Sequence, residues 1–201
     1  MQGTTLLYIV LWVVGLLVSI YAGLVYRYHH RVVDDITVMQ CTAKTFHREL
    51  LDERQPLICG GFDDTEVFAI LSKHLTSSTS KIKPLTQMST NHIRARLDTV
   101  RPWFCDLQPI HYYTFNSASE EKPYTQCNAS VHMHVQLQGT AKLLIVHPKH
   151  MTDTPMFTEL IVPEGYVLFV PFQWWIRVLP VNDPCVCAIL SWRSVMDSFF
   201  N

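Results

Sequence analysis

The first 26 residues of this 201-residue chain lack any charged side chain. Leu6–Tyr26 is almost wholly apolar, and at about 1.5 Å per helical residue it is long enough to cross a hydrocarbon core of ~30 Å. The segment also lacks the basic start and small-residue cleavage site of a signal peptide, and the polar face of a soluble helix. The sequence therefore predicts a lipid-embedded anchor over residues 1–30, followed by a connector over residues 31–44.

The chain also lacks an excess of charge of either sign and the common catalytic motifs. Its formal net charge is −1, and no basic stripe with interleaved aromatic residues occurs, so we expect no nucleic-acid partner. It has neither a G-x-S-x-G nucleophile elbow nor a phosphate-binding G-x-x-x-x-G-K. These absences leave no motif for a serine hydrolase or a nucleotide-binding enzyme.

Basic residues follow the apolar run, and none precedes it. Arg27, Arg31, Lys44 and Arg48 are the first four of these. The positive-inside tendency then predicts a single-pass protein whose C-terminal domain lies on the cytosolic side. Thiols stay reduced there, so we expect the six cysteines to be free. Because the cysteine count is even, the opposite topology with paired cysteines stays open.

Small residues recur along one face of the predicted anchor. Gly15, Ser19 and Gly23 are four residues apart, so they lie on the same side of a helix. Such a stripe allows a second helix to approach closely. A homo-oligomer formed through this face is therefore a further expectation.

Residues 45–201 have the pattern of one mainly β domain with helices ahead of it. Thr45–Glu53 and Glu66–Leu75 have apolar residues at helical spacing. From residue 131 onward, short apolar or alternating runs are separated by turn signals. The expected strands are 56–59, 131–137, 142–146, 159–162, 166–170 and 186–192. Many short strands without intervening helices are typical of a sandwich or barrel.

Three segments resemble the cupin-like, JmjC-type family of Fe(II)/2-oxoglutarate oxygenases. They are RQPLICGGF (54–62), HMHVQLQGTAKLLIVHP (132–148) and GYVLFVPFQWWIRV (165–178). The resemblance covers most of residues 45–193 and implies a double-stranded β-helix, a squashed barrel of two facing sheets. The residues that hold the family's positions are Gly139, Pro148, Gly165, Pro171, Trp174 and Trp175.

The same resemblance implies that the family's metal site is degenerate here. Family members bind iron through an H-x-[DE] pair and a later histidine, which leave positions open for 2-oxoglutarate and oxygen. The alignment places Gln126 and Asn128 at the first two ligand positions and Ile176 at the third. The lysine that often binds 2-oxoglutarate is replaced by Ala141. We therefore expect no metal, no cofactor and no catalytic residue.

Two histidines keep an alternative open. His132 and His134 are two apart, so on a strand they share one face and could both bind a metal or line a residual pocket. Trp174 and Trp175 are further pocket-lining candidates, because the family's aromatic residues frame the pocket mouth. The alternative function is an active oxygenase with a remodelled Fe(II) site that uses 2-oxoglutarate.

The favoured interpretation is a membrane-anchored, catalytically inactive cupin-like domain that serves as a structural or binding module. It implies a protein partner, whose identity is unknown, or a small apolar or acidic ligand in the emptied pocket. The chain also resembles the small membrane-tethered cupin-like proteins that occur among large DNA viruses. A virion or viral membrane protein that links membrane and shell is the setting which that similarity implies.

Overall fold

The computed structural model describes residues 2–29, 37–76, 87–98, 105–115, 123–152, 155–194 and 197. Helix α1 (Gln2–His29) begins the chain. Within it, Thr5–Arg27 has a mean hydropathy of 2.3 and is long and apolar enough to cross a membrane. Only 6% of this apolar window is buried inside the protein. It is therefore not packed as the core helix of a soluble domain.

Short helices and strands make up the remainder of the described chain. The helices are α2 (Glu49–Asp52), α3 (Glu66–Thr76) and α4 (Gln87–Arg96). The strands are β1 (Met39–Thr42), β2 (Leu57–Gly60), β3 (Asp106–Leu107), β4 (His111–Phe115), β5 (Thr125–Gln126), β6 (Val131–Gln138), β7 (Ala141–Val146), β8 (Thr158–Val162), β9 (Val167–Pro171), β10 (Trp175–Pro180) and β11 (Cys185–Arg193).

The strands form two sheets whose order defines the fold. The larger sheet runs β1-β2-β9-β6-β11-β3, with β4 also paired to β11, and the smaller runs β5-β10-β7-β8. Between β4 and β11 the chain passes repeatedly from one sheet to the other, so that β4-β11-β6-β9 lies opposite β5-β10-β7-β8. This is a double-stranded β-helix, the cupin or jelly-roll arrangement. The predicted fold class, mainly β with helices before it, is confirmed.

Strand β6 lies in the middle of the larger sheet and is buried on both faces. Its odd-numbered residues, such as Met133 and Val135, join the core that also contains Leu71 of α3 and Ile93 of α4. Side chains alternate along a strand, so its even-numbered residues point to the other face, toward the smaller sheet. His134 and Gln136 are both 0% exposed. The polar half of this alternating strand therefore faces the barrel interior and not solvent.

Two local details differ from the sequence-based expectation. The helix expected over Thr45–Glu53 is confined to Glu49–Asp52. A turn precedes it, in which the Thr45 amide donates to the Thr42 carbonyl at 3.0 Å, and this turn displaces the helix start. Strand β1 lies inside the segment that the sequence assigns to the connector, and it pairs in parallel with β2. The sheet thus includes residues from Met39 onward.

The expectation that all six cysteines are free is wrong for one pair. Cys41 and Cys59 form a disulfide. The parallel register of β1 and β2 places these two residues side by side, with Cα atoms 4.7 Å apart. Sequence spacing carries no sign of this, because it depends on a pairing between strands. Cys105, Cys127, Cys185 and Cys187 are buried and form no disulfide.

Candidate functional site

A cavity of about 440 Å³ lies between the two sheets. Strands β4, β6 and β11 supply one wall, and β5, β10 and the residues after β5 supply the other. Its volume falls within the ~300–1,000 Å³ range of small-molecule sites. The lining residues are Gln108, Pro109, His111, Tyr113, Phe115, Pro123, Thr125, Gln126, Cys127, Asn128, Ala129, His132, His134, Ile176, Val178, Ile189, Ser191 and Arg193.

The three positions that the resemblance assigns to metal ligands meet in this cavity. Gln126 ends β5, Asn128 follows it, and Ile176 lies near the start of β10. The antiparallel pairing of β5 with β10 sets Ile176 opposite Thr125. All of the ligand positions line the cavity, and Ile176 is 6% exposed within the core between the sheets. The two amides and the aliphatic side chain thus line the same cavity.

These side chains do not fit an Fe(II) facial triad. Ile176 has no donor atom, and Gln126 uses its Nε2 to donate to the Gln173 carbonyl at 3.4 Å. Neutral amides cannot balance the charge of a hard dication as a carboxylate does. Over the described ranges, no Asp or Glu lines the cavity, and no cluster of three His, Cys, Asp or Glu side chains is placed to hold a metal ion.

The position that the resemblance assigns to the 2-oxoglutarate-binding lysine also lacks a suitable side chain. Ala141 is 0% exposed and belongs to the core between the sheets. Lys142, its neighbour on β7, forms an ion pair of 2.9 Å with Glu159 of β8. Adjacent residues on a strand point to opposite faces, so this lysine lies outside the barrel. It cannot bind a carboxylate in the cavity.

His132 and His134 both line the cavity and are uncharged at neutral pH. Burial lowers the pKa of His132 to about 3, helped by the neighbouring His134. Burial also lowers the pKa of His134 to about 4, against the opposing effect of its hydrogen bond to Gln136. Neither Nε2 of His132 nor Nδ1 of His134 has a hydrogen-bond partner among the described residues. Each is therefore a buried polar atom that a bound molecule could satisfy.

The tryptophans do not line the cavity, in contrast to the expectation from the family. On β10, Ile176 and Val178 point inward, so Trp175 points away from the cavity by strand alternation. Trp174 is 4% exposed and packs edge-on against His147, with ring centroids 4.9 Å apart. Its position in the turn before β10 carries it into the core beside the cavity.

Two residues of β11 belong to the site and were missed in the sequence. Ser191 Oγ lies 3.4 Å from Nδ1 of His132. The exposed Arg193 donates from Nε to the Asn128 carbonyl at 2.9 Å. Side chains two residues apart on a strand share a face, so Ser191 and Arg193 lie on the same inner face of β11 as Ile189. His111 and Tyr113 of β4 also line the cavity.

Comparison with known proteins adds little to this geometry. No known protein family and no curated protein matches the sequence. The structure is similar to Drosophila melanogaster CENP-C bound to CAL1, at 7% identity and a TM-score of 0.34, over 41% of this chain and 60% of that chain. It is similar to the Drosophila melanogaster CENP-C cupin domain at the same identity and TM-score, over 41% and 59%. The fold assignment rests on the strand order described above.

Proposed function

We propose that this protein is a membrane-anchored binding module that uses its emptied cupin cavity without a metal. The observation that carries this proposal is the cavity itself, which persists at about 440 Å³ although its ligand positions hold Gln126, Asn128 and Ile176. A purely structural domain would gain stability by filling such a space with side chains. An open, mostly apolar cavity with a few buried polar groups is what small-molecule sites share.

The alternative, an oxygenase with a remodelled site, has one observation in its favour. His132 and His134 line the same cavity, and both rings are neutral at pH 7. Each ring therefore has one unprotonated nitrogen that could bind a metal. A facial triad needs a third ligand, and the described part of the lining contains no carboxylate. Cys127 lines the cavity too, but burial raises the pKa of its thiol well above the usual range. The donor set therefore favours binding without catalysis.

Turnover of 2-oxoglutarate separates the two functions. The full-length chain in detergent, supplied with Fe(II), ascorbate and 2-oxoglutarate, is expected to form no succinate above the rate of a blank without protein. Succinate formation that is lost in both His132→Ala and His134→Ala, but kept in His150→Ala, would establish the oxygenase instead. His150 serves as the control because it lies on the turn after β7, outside the cavity.

Anchoring rests on α1, whose apolar side chains are exposed along most of its length. Such a surface is stable in hydrocarbon and unstable in water. We expect the full-length chain to stay with membranes through high-salt and alkaline washes. A chain that starts at residue 37 should appear in the supernatant. Release of the full-length chain by alkali would contradict an anchor that spans the bilayer.

For the side of the membrane, we propose the oxidising compartment. The four basic residues after α1 favour the cytosolic side, but long domains are translocated largely regardless of charge. A structural disulfide, in contrast, persists only where thiols are not kept reduced. The Cys41–Cys59 bond therefore supports this proposal. The viral setting stays a prediction. So does a helix dimer through Gly15, Ser19 and Gly23 of α1. Within α1, Ser19 Oγ donates a hydrogen bond to the Gly15 carbonyl at 2.8 Å.

Counting thiols tests this placement. Protein taken from acid-quenched cells and denatured without reductant should react with maleimide at the four cysteines outside the disulfide, and at all six after reduction. In Cys41→Ser, the unreduced chain should gain one reactive thiol, which belongs to Cys59. If all six cysteines react without reductant, the cytosolic placement of the domain is favoured instead.

A further inference from the structure

The hydrogen bonds of Gln136 determine which nitrogen of His134 carries the proton. Gln136 Nε2 donates to the Gln138 carbonyl at 2.8 Å and to Cys185 Sγ at 3.3 Å. The Gln138 carbonyl can only accept a hydrogen bond, so the side-chain nitrogen of Gln136 must face it. The side-chain oxygen of Gln136 must then face His134. That oxygen, Oε1, is 3.2 Å from His134 Nε2. Because Oε1 can only accept, the His134 proton lies on Nε2.

The other ring nitrogen of His134 is consequently a bare acceptor. The ring is neutral at pH 7 because burial holds the pKa near 4, and a neutral imidazole has one protonated nitrogen. Nδ1 is buried and has no hydrogen-bond partner within the described part of the chain. Leaving a buried acceptor unsatisfied costs free energy, and a hydrogen-bond donor on a water or a bound molecule relieves that cost. What His134 lacks is a donor.

The walls around this acceptor are mostly apolar, with a few polar side chains. The cavity runs from the exposed Arg193 and His111 past the half-buried His132 to His134, which is 0% exposed. Arg193 is the one permanently charged side chain in the described lining, and its Nε is engaged with the Asn128 carbonyl. Aliphatic side chains from both sheets, including Ile176 and Ile189, cover the space between. A charged group placed this deep would lose its hydration without gaining a counter-charge.

We propose that the cavity binds an uncharged small molecule whose hydroxyl or N–H group donates a hydrogen bond to Nδ1 of His134, with its apolar body between Ile176 and Ile189. This inference rests on the proposed binding function and narrows it to a ligand class. His132 Nε2 and Asn128 Oδ1, which are also buried without partners in the described structure, are available to further polar groups of the same molecule. An acidic ligand is disfavoured at depth, because Arg193 lies at the exposed rim.

Nitrogen-15 NMR of the histidine side chains provides the test. The probes are 2-naphthol, which donates, 2-methoxynaphthalene, which has the same body without the donor, and 2-naphthoate, which is charged. In the full-length chain in nanodiscs, we expect His134 to have its proton on Nε2 before any probe is added. Adding 2-naphthol should shift the Nδ1 resonance as that atom accepts a hydrogen bond. 2-Methoxynaphthalene should bind about tenfold more weakly or worse, since the acceptor stays unsatisfied.

Two variants connect the preference to His134. His134→Phe should bind 2-naphthol and 2-methoxynaphthalene equally, whereas His150→Phe, the same substitution outside the cavity, should keep the wild-type preference. If His134→Phe does not fold, the shift of the wild-type His134 Nδ1 resonance on adding 2-naphthol tests the proposal by itself. A proton on Nδ1 of His134, an unmoved Nδ1 resonance, or tighter binding of 2-naphthoate would overturn the ligand class. Stoichiometric metal in the protein would instead overturn the proposed function itself.

Discussion

The triple variant Gln126→His, Asn128→Asp and Ile176→His is expected to bind about one divalent metal ion per chain, whereas the wild type is expected to bind none. The three positions line one cavity, and the pairing of β5 with β10 sets Ile176 opposite Thr125, the residue before Gln126. Two imidazoles and one carboxylate restore the donor set of a facial triad. Co(II) added to the folded variant should give a visible absorption band that titrates to saturation.

Single replacements provide the matched controls. Ile176→His alone should give no saturable band, because Gln126 and Asn128 remain neutral amides with weak affinity for a dication. The pair Gln126→His and Asn128→Asp should bind more weakly than the triple variant, since it lacks the third ligand. If the triple variant folds, by circular dichroism, yet binds no metal, the assignment of these positions to the lost ligands is incorrect.

Acid should destabilise the domain through the two histidines that line the cavity. In the unfolded chain a histidine has a pKa of about 6.5, whereas burial lowers the pKa of His134 to about 4 and that of His132 to about 3. Between these values the unfolded chain binds more protons, so stability falls as pH falls from about 6.5. For His134 alone the loss approaches about 3 kcal/mol by pH 4, at ~1.4 kcal/mol per pH unit.

Urea unfolding at a series of pH values measures this loss. His134→Phe should show a shallower decline of unfolding free energy between pH 6.5 and pH 4 than the wild type. Val178→Ala, a non-titrating change in the same cavity wall, should lower stability at every pH and keep the wild-type slope. The slope, not the absolute stability, is the readout, because both variants disturb packing. An unchanged slope in His134→Phe would show that this histidine is not held neutral by burial.

The strands could be predicted from the sequence where side-chain alternation or an apolar run marked them. The runs 142–146 and 186–192 match β7 and β11 closely, because both strands lie in the core. Helix α4 was missed, since QMSTNHIRAR has few apolar residues, and among its side chains that the structure describes only Ile93 is fully buried. Strand β1 was missed as well, because four residues joined to a connector carry too little pattern. Tertiary pairing, not local propensity, defines both.

The candidate site was located by resemblance, but its chemistry depends on contacts that sequence cannot supply. The alignment named Gln126, Asn128 and Ile176, and the structure gathers them in one cavity. Alternation along β6 grouped His132 with His134 but did not show that this polar face is enclosed by a second sheet. The tautomer of His134 depends on Gln136, whose orientation is set by Gln138 and Cys185. The Cys41–Cys59 bond likewise depends on the register of β1 against β2.

The metal content of the purified wild-type chain tests the central claim most directly. Full-length protein, extracted in detergent without chelators from cells grown with iron, zinc and copper, should be analysed by inductively coupled plasma mass spectrometry alongside the triple variant. The account predicts no metal in proportion to the wild-type chain and a proportionate amount in the triple variant. Iron or zinc at one ion per wild-type chain, lost when His132 and His134 are both replaced by alanine, would contradict it and identify the cavity as a remodelled metal site.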